Sequence, residues 1–160
     1  MASAAKVAKR REDDVTLIAV SKTRSIEEIE PLIAAGQRAF GENRIQEAAA
    51  KWPELKARYP DITLHLIGQL QSNKAQEAVE IFDVIHTVDR PSLVSALGKA
   101  MRDQARHLPC FIQVNIGAEE QKGGCAISAL PELLELAKKE GFEITGLMCL
   151  PPANVEPAPF

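Results

Sequence analysis

Lys22 is the residue best placed to do chemistry. It ends the run Val15-Thr-Leu-Ile-Ala-Val-Ser-Lys-Thr23, in which Val15 to Val20 is nearly continuous aliphatic. That is the pattern of a strand buried on both faces. Ser25-Ile-Glu-Glu28 follows as a capping box that opens a helix. A lysine at the carboxyl end of such a strand faces the space the strand ends enclose, where α/β proteins keep their chemistry. Away from water a primary amine gives up its proton more readily and becomes free to attack a carbonyl. The other reading is a lysine that snorkels to solvent and keeps the mouth of the fold soluble. Position alone leaves both open.

The remaining candidates read more simply. His65, His86 and His107 have no spacing that sets two on one helix face, so they are packed core or rim residues before they are metal ligands. Ser21 lacks the G-x-S-x-G elbow of a serine nucleophile. Glu42, at a strand end, reads as a cap or ion-pair partner before a general base. Gly123-Gly124 precedes a helix without the Gly-Lys-Ser/Thr ending of a P-loop, and is a flexible loop. Ser72, Asn73 and Lys74 could touch an anion, although capping accounts for the first two. Trp52 and Tyr59 are packing residues of a helix.

These residues hang on a repeating frame. After the first strand, Ile26, Ile29, Leu32 and Ile33 recur at helical spacing and Gly36 stops the helix. Arg38–Gly41 is a second strand, and Asn43 with Gln46 caps a helix to about Tyr59. Thr63–Gly68 is a third strand, ending in the polar loop Gln69–Lys74, with Asn73 and Gln76 capping a short helix. Asp83–Val88 is the fourth, followed by a helix with Pro91 in its first turn that reaches about Arg106. Pro109–Ile116 is the fifth, and Ser128 starts a helix that Gly141 closes. Ile144–Met148 is the sixth.

Strand–helix units at a spacing of roughly 25 residues predict a parallel sheet with right-handed crossovers. An open doubly wound sheet and a (β/α) barrel both fit that pattern. The Gly-rich dinucleotide fingerprint is absent after the first strand. Lys22, Asn43, Gln69, His86, Thr87, Asn115 and Met148 stand near the strand carboxyl ends, a ring that suits a barrel mouth better than one crevice. The expected fold is therefore α/β, a TIM (β/α)8-type barrel present as about six units. A full barrel has eight units and usually ~250 residues. The Pro-rich segment 151–160 is accordingly read as leading into units beyond Phe160, with 1–160 as a single incomplete domain. Strands one and six would then be open edges.

Composition narrows the function classes. In 160 residues, 46% are hydrophobic and 26% charged, as in one soluble globular unit. A net charge of -3 makes no electrostatic case for nucleic acid. The basic cluster Lys6, Lys9, Arg10, Arg11 is answered at once by Glu12, Asp13 and Asp14, as at a solvated helix end. No stretch approaches the ~20 apolar residues of a membrane span, and the amino terminus lacks a secretory h-region. Cys110, Cys125 and Cys149 form no C-x-x-C pair and suit a reducing cytoplasm.

Several ordered stretches then carry a family resemblance: Ala-Val-Ser-Lys-Thr at 19–23, Phe-Gly-Glu-Asn at 40–43, His-Leu-Ile-Gly at 65–68 and Leu-Gln-Ser-Asn-Lys at 70–74. His-Thr-Val-Asp-Arg at 86–90, Gln-Val-Asn-Ile at 113–116 and Gly-Leu-Met at 146–148 extend it. Together they resemble the pyridoxal 5′-phosphate (PLP) homeostasis proteins, whose barrel is that of the alanine-racemase amino-terminal domain (PLP fold type III). The resemblance covers about Val15 to Pro152 and puts the family's Schiff-base lysine at Lys22. It implies that Asn43 lies close to the cofactor ring and that Asn115 and Met148 line the same mouth. Lys122 matches a loop lysine of the family, a second contact for arriving or departing PLP. The family's phosphate cup, a Ser-x-Gly-Met-Ser stretch with a later Gly-Thr turn, and its pyridine-facing arginine belong to the last two units. The residues to Phe160 are thus expected to bind PLP weakly or not at all. The amino-terminal helix is shorter than is usual for the family.

The implied function is a cytoplasmic PLP carrier without strong catalysis, a monomer or weak homodimer that serves PLP-dependent apoenzymes. A racemase needs a second acid/base group opposite the cofactor, and the only tyrosine, Tyr59, falls on an outer helix. The alternatives are a PLP-dependent racemase or lyase, or a Schiff-base aldolase, on the same barrel. A plain interaction module is the third.

Overall fold

The computed structural model describes residues 2–117 and 122–151. A short helix α1 (Ala2–Val7) leads into β1 (Ala19–Val20), α2 (Ile26–Ala34), β2 (Ala39–Glu42), α3 (Ile45–Arg58) and β3 (Thr63–Leu66). Then come α4 (Ala75–Ile81), β4 (Val84–Val88), α5 (Pro91–Gln104), β5 (Cys110–Val114), α6 (Leu130–Glu140) and β6 (Ile144–Cys149). The strands form one sheet in the order β1-β2-β3-β4-β5-β6, with every neighbouring pair parallel. Strand order that follows chain order without reversal is the order of a barrel wall. A doubly wound sheet would reverse at a switch point.

Local chemistry accounts for the element boundaries. The Ser25 N–H donates to Glu28 Oε2 at 2.9 Å, as expected at the start of α2. Three expected caps moved. Asn43 stays at the end of β2 and Arg44 occupies the N-cap of α3, because the Asn43 backbone is pressed against Gly68 of the next strand end. A 3₁₀ turn, Ser72–Lys74, absorbs Asn73 and leaves Lys74 as the N-cap of α4. A second 3₁₀ turn, Ile127–Ala129, takes Ser128, so α6 begins at Leu130 with Pro131 in its first turn.

The sheet has two unlike faces. On the helix side, Phe40, Leu64, Leu66, Ile85 and Ile112 pack with Trp52, Leu55, Val79, Leu93 and Leu97 as a closed core, none more than 1% exposed. On the other face the alternate residues build a thinner layer. A side chain at Gly41 would meet Ile67 and Ile18, and one at Gly146 would meet the Phe111 ring. His65 Nδ1 lies 2.8 Å from His86 Nε2, and the His86 ring stacks on Phe111 with centroids 4.4 Å apart. His65 and His86 are therefore packed and mutually bonded, as their strand positions implied, whereas His107 is exposed between α5 and β5. No group of metal-binding side chains forms among the described residues.

Strand one departs from its reading. The expected strand over Val15 to Val20, buried on both faces, is paired only at Ala19 and Val20, and Val15, Leu17 and Val20 are exposed. Among the described residues β1 has a neighbour on one side only, and the face opposite the helices is uncovered there. β6 is likewise an edge, with Leu147 exposed. Of the Pro-rich stretch 151–160, residues 152–160 lie outside the described residues.

Two predictions test this packing. Gly98 lies inside α5, where alanine is intrinsically favoured by about 1 kcal/mol. A Cβ there would sit 2.6 Å from Cβ of Glu140, so α5 and α6 would have to separate. Overpacking costs about 1–3 kcal/mol, so Gly98→Ala is expected to lower the urea midpoint despite its helix propensity.

The second concerns protons. Burial pushes the His86 ring down from 6.5 to about 4, helped by the charge of His65. Burial lowers His65 as well, against the opposing pull of Asp83. Both rings are thus held neutral in the fold, and the unfolded chain binds more protons once pH falls below about 6.5. Stability present above that pH is lost as pH drops toward about 4. His86→Phe keeps a ring against Phe111 and removes one titrating group. It is expected to flatten the fall in urea midpoint between about pH 7 and about pH 5, and an unchanged slope would contradict the assignment.

Candidate functional site

Parallel strands send every strand-to-helix turn to the same end of the sheet, and the polar residues singled out above collect there. Lys22 is exposed on the turn between β1 and α2. With Thr23, Asn43, Arg44 and Glu47 it lines a cleft of about 300 Å³. The desolvating strand end expected around Lys22 is thus an open cleft on the edge strand. Asn43 is half-buried and also borders a neighbouring cleft of about 510 Å³, with Arg44, Gln46, Gln69, Gln71 and Lys74.

On the other side of the mouth stand Asn115, Lys122 and Met148. Met148 is in register with Gln113, and Asn115 follows the end of β5. The Asn115 amide donates to the Lys122 carbonyl at 3.4 Å, and Lys122 Nζ donates to the Pro151 carbonyl at 3.3 Å. A short bridge between Val114 and Cys125 folds this loop back along β5, with the Asn115 N–H donating to the Cys125 carbonyl at 2.9 Å. The expected residues therefore share one end of the sheet but form two groups. Lys22 and Asn43 belong to the β1–β2 side; Asn115, Lys122 and Met148 belong to the β5–β6 side.

The two groups are joined through glycines. A side chain at Gly68 would lie 2.1 Å from the Asn43 carbonyl oxygen, so the ends of β2 and β3 touch backbone to backbone. Thr87 Oγ1 donates to the Gly68 carbonyl at 2.8 Å and carries the connection to β4. Gly123 leaves room for the Gln69 amide, and Gln113 Nε2 donates to the Gly123 carbonyl at 3.1 Å. His86, placed in the ring by its sequence position, instead lies in the middle of β4 and faces His65 of β3.

Behind Lys22 lies a buried network that the sequence did not announce. Glu42, fully buried, accepts from Ser21 Oγ at 2.6 Å and from Trp52 Nε1 at 3.0 Å, both on Oε1. Lys51 Nζ approaches the same oxygen at 2.8 Å. The ammonium donates to the Ser21 carbonyl at 2.8 Å, the Arg24 carbonyl at 3.1 Å and Glu47 Oε1 at 3.2 Å. Glu47 in turn accepts from the Thr23 N–H. Burial pushes the Glu47 carboxyl up, but the Thr23 N–H, Lys51 and Arg44 outweigh it and hold it below the usual range. Ser21 is spoken for as a buried donor, and Glu42 is the ion-pair partner its position suggested. The one available signal was the Glu47/Lys51 spacing on a helix face. Nothing in the sequence pointed it at the turn before α2.

Comparison with known proteins places this geometry. Residues 2–159 match the family model described as alanine racemase, N-terminal domain. A pyridoxal phosphate homeostasis protein of Vibrio alginolyticus is 40% identical over 149 residues, covering 91% of this chain and 64% of the relative. One from Pseudomonas aeruginosa is 39% identical over 156 residues, covering 97% and 67%. The chain thus spans about two thirds of the length of these relatives. Among solved structures, PipY of Synechococcus elongatus with PLP bound superposes with a TM-score of 0.78 at 39% identity, over 95% of this chain and 70% of that one. An alanine racemase of Clostridium difficile shares the fold at 13% identity, with a TM-score of 0.68. Six parallel strands in chain order, together with these relatives, make the chain a member of the alanine racemase N-terminal domain family, among its pyridoxal phosphate homeostasis proteins.

Proposed function

We propose that this mouth holds PLP covalently through Lys22, and that the protein stores and hands on the cofactor inside the cytoplasm and is not itself a strong catalyst. The observation that carries the reading is that Lys22 and Asn43 line one cleft at the strand carboxyl ends. The residues fit the group on chemical grounds. PLP supplies an aldehyde that condenses reversibly with a primary amine, and an electron-withdrawing ring. Lys22 offers an exposed amine that such an aldehyde can reach. Asn43 borders the ring, and Asn115 and Met148 close the far side of the mouth. Lys122, on the loop beside Asn115, meets PLP as it arrives or leaves.

The position of the tyrosine supports a carrier role. Racemisation or elimination needs a positioned acid or base on the opposite cofactor face. Tyr59, the single tyrosine, is the C-cap of α3, a helix that runs away from the mouth toward the start of β3. The partners of this reading are PLP itself and PLP-dependent apoenzymes, with residues 1–160 forming a single incomplete barrel domain, monomeric or weakly dimeric. No helix among the described residues is long and apolar enough to cross a membrane.

The test is spectroscopic. PLP added to the protein is expected to give a band near ~420 nm that borohydride abolishes, fixing a phosphopyridoxyl group whose peptide carries Lys22. Lys22→Ala is expected to lose the band and that peptide adduct. Fixation spread evenly over the surface lysines, with no preference for Lys22, would overturn the proposal. So would brisk racemisation of an amino acid by the wild-type protein.

A further inference from the structure

We propose that Lys51 is a positioning residue for Lys22: clamped by Glu42, its buried ammonium fixes the turn from which the Lys22 amine is presented. The inference rests on the reading of Lys22 as the PLP-holding amine, and deepens it by naming what sets the geometry of that amine.

The turn is short and needs holding. Thr23 has φ 63, in the left-handed region that a β-branched residue adopts only at a cost. The Arg24 N–H closes back on the Ser21 carbonyl at 3.1 Å. Lys22 and Thr23 lie between those two residues. Lys51 donates to the carbonyls of both Ser21 and Arg24, so one ammonium grips the turn on either side of Lys22. Its third proton goes to Glu47, whose carboxylate also accepts the Thr23 N–H. All three donors of the ammonium are used, and each bond ends on the turn or on the group that holds the turn.

Glu42 explains why the ammonium stays. The Lys51 side chain is 8% exposed and that of Glu42 is 0% exposed, with Nζ and Oε1 2.8 Å apart. Glu42 Oε2 is buried without a hydrogen-bond partner. An incompletely bonded buried pair is not an efficient way to stabilise a core, and well-packed apolar residues of similar volume usually do as well or better. What apolar residues cannot do is bond two turn carbonyls. The arrangement makes sense as a means of placing the turn, with Trp52 and Ser21 locking the carboxylate in register with β2.

The experiment separates placement from stability. Lys51→Met strands a buried carboxylate and is expected to lower the melting temperature. Lys51→Met combined with Glu42→Gln removes both charges and is expected to recover most of it. In the folded double variant, exchange of the Thr23 and Arg24 amides is expected to speed up about tenfold, while amides of β3 to β5 keep wild-type rates. The pH profile of Lys22 acetylation, read by mass spectrometry against exposed Lys9, is expected to shift. The borohydride-fixed PLP adduct at Lys22 is expected to fall about tenfold, as loss of a positioned geometry predicts. Lys51→Arg keeps the charge and the donors and is expected to restore the acetylation profile. The clamp is overturned by a double variant with wild-type exchange at Thr23 and Arg24 and a wild-type Lys22 profile. If that variant does not fold, Lys51→Arg that recovers melting temperature but not the profile has the same force. Exchange and acetylation need no PLP, so a wild-type protein without a Lys22 adduct would defeat the carrier reading while leaving the clamp to be judged by these two measurements.

Discussion

Parallel strands laid side by side in chain order are the constraint on which the rest depends. Each must return through a helix, so every strand-to-helix turn lands on one edge of the sheet and every helix-to-strand turn on the other. Residues far apart in sequence, such as Lys22, Asn43 and Asn115, then meet at one end without any local signal that they should. The closed apolar layer between sheet and helices secures this arrangement. It leaves the strand ends free to carry polar groups that contribute nothing to the core.

The second face of the sheet shows how the wall curves. Gly41 and Gly146 remove side chains where Ile18, Ile67 and Phe111 must fit, so neighbouring strands approach on that face. Two histidines and a phenylalanine fill the space between, held neutral by their own burial. A hydrogen bond between two imidazoles needs one donor and one acceptor, which two protonated rings cannot supply. The packing of this layer is thus tied to protonation in a way the helix-side core is not.

Much of the frame could be read from residue pattern alone, because strand and helix periods differ and the turns are marked by Gly, Pro and capping residues. Five of the six strands, β2 to β6, and the helices between the strands fall close to their expected places. The misplaced caps have two causes. Asn43, Asn73 and Ser128 are all good N-caps by type, yet none is the N-cap in the structure. Asn43 is fixed by backbone contact with Gly68, and the other two lie in 3₁₀ turns that precede their helices. Capping preference is local, and contact between strand ends outranks it. The first strand erred for a similar reason: an aliphatic run reports what a closed wall would bury, not which edge is open. In the mouth, Lys22 was legible because it interrupts an apolar run. Lys51 was not, because a lysine on a helix looks like any solvated lysine until Glu42 and the turn before α2 are brought against it.

Lys22 and Lys51 show how environment assigns unlike tasks to one side chain. Lys51 has every donor occupied and a carboxylate at 2.8 Å, so its amine is engaged on all sides and out of reach of a carbonyl compound from solvent. Lys22 stands exposed in a cleft, able to meet a carbonyl compound from solvent. The two are coupled through the backbone between Ser21 and Arg24, which the buried lysine holds and the exposed one extends. The carrier role proposed above would benefit from that division: an amine proposed to condense with PLP could remain accessible for release, because the order that directs it is supplied from behind by the buried Lys51–Glu42 pair.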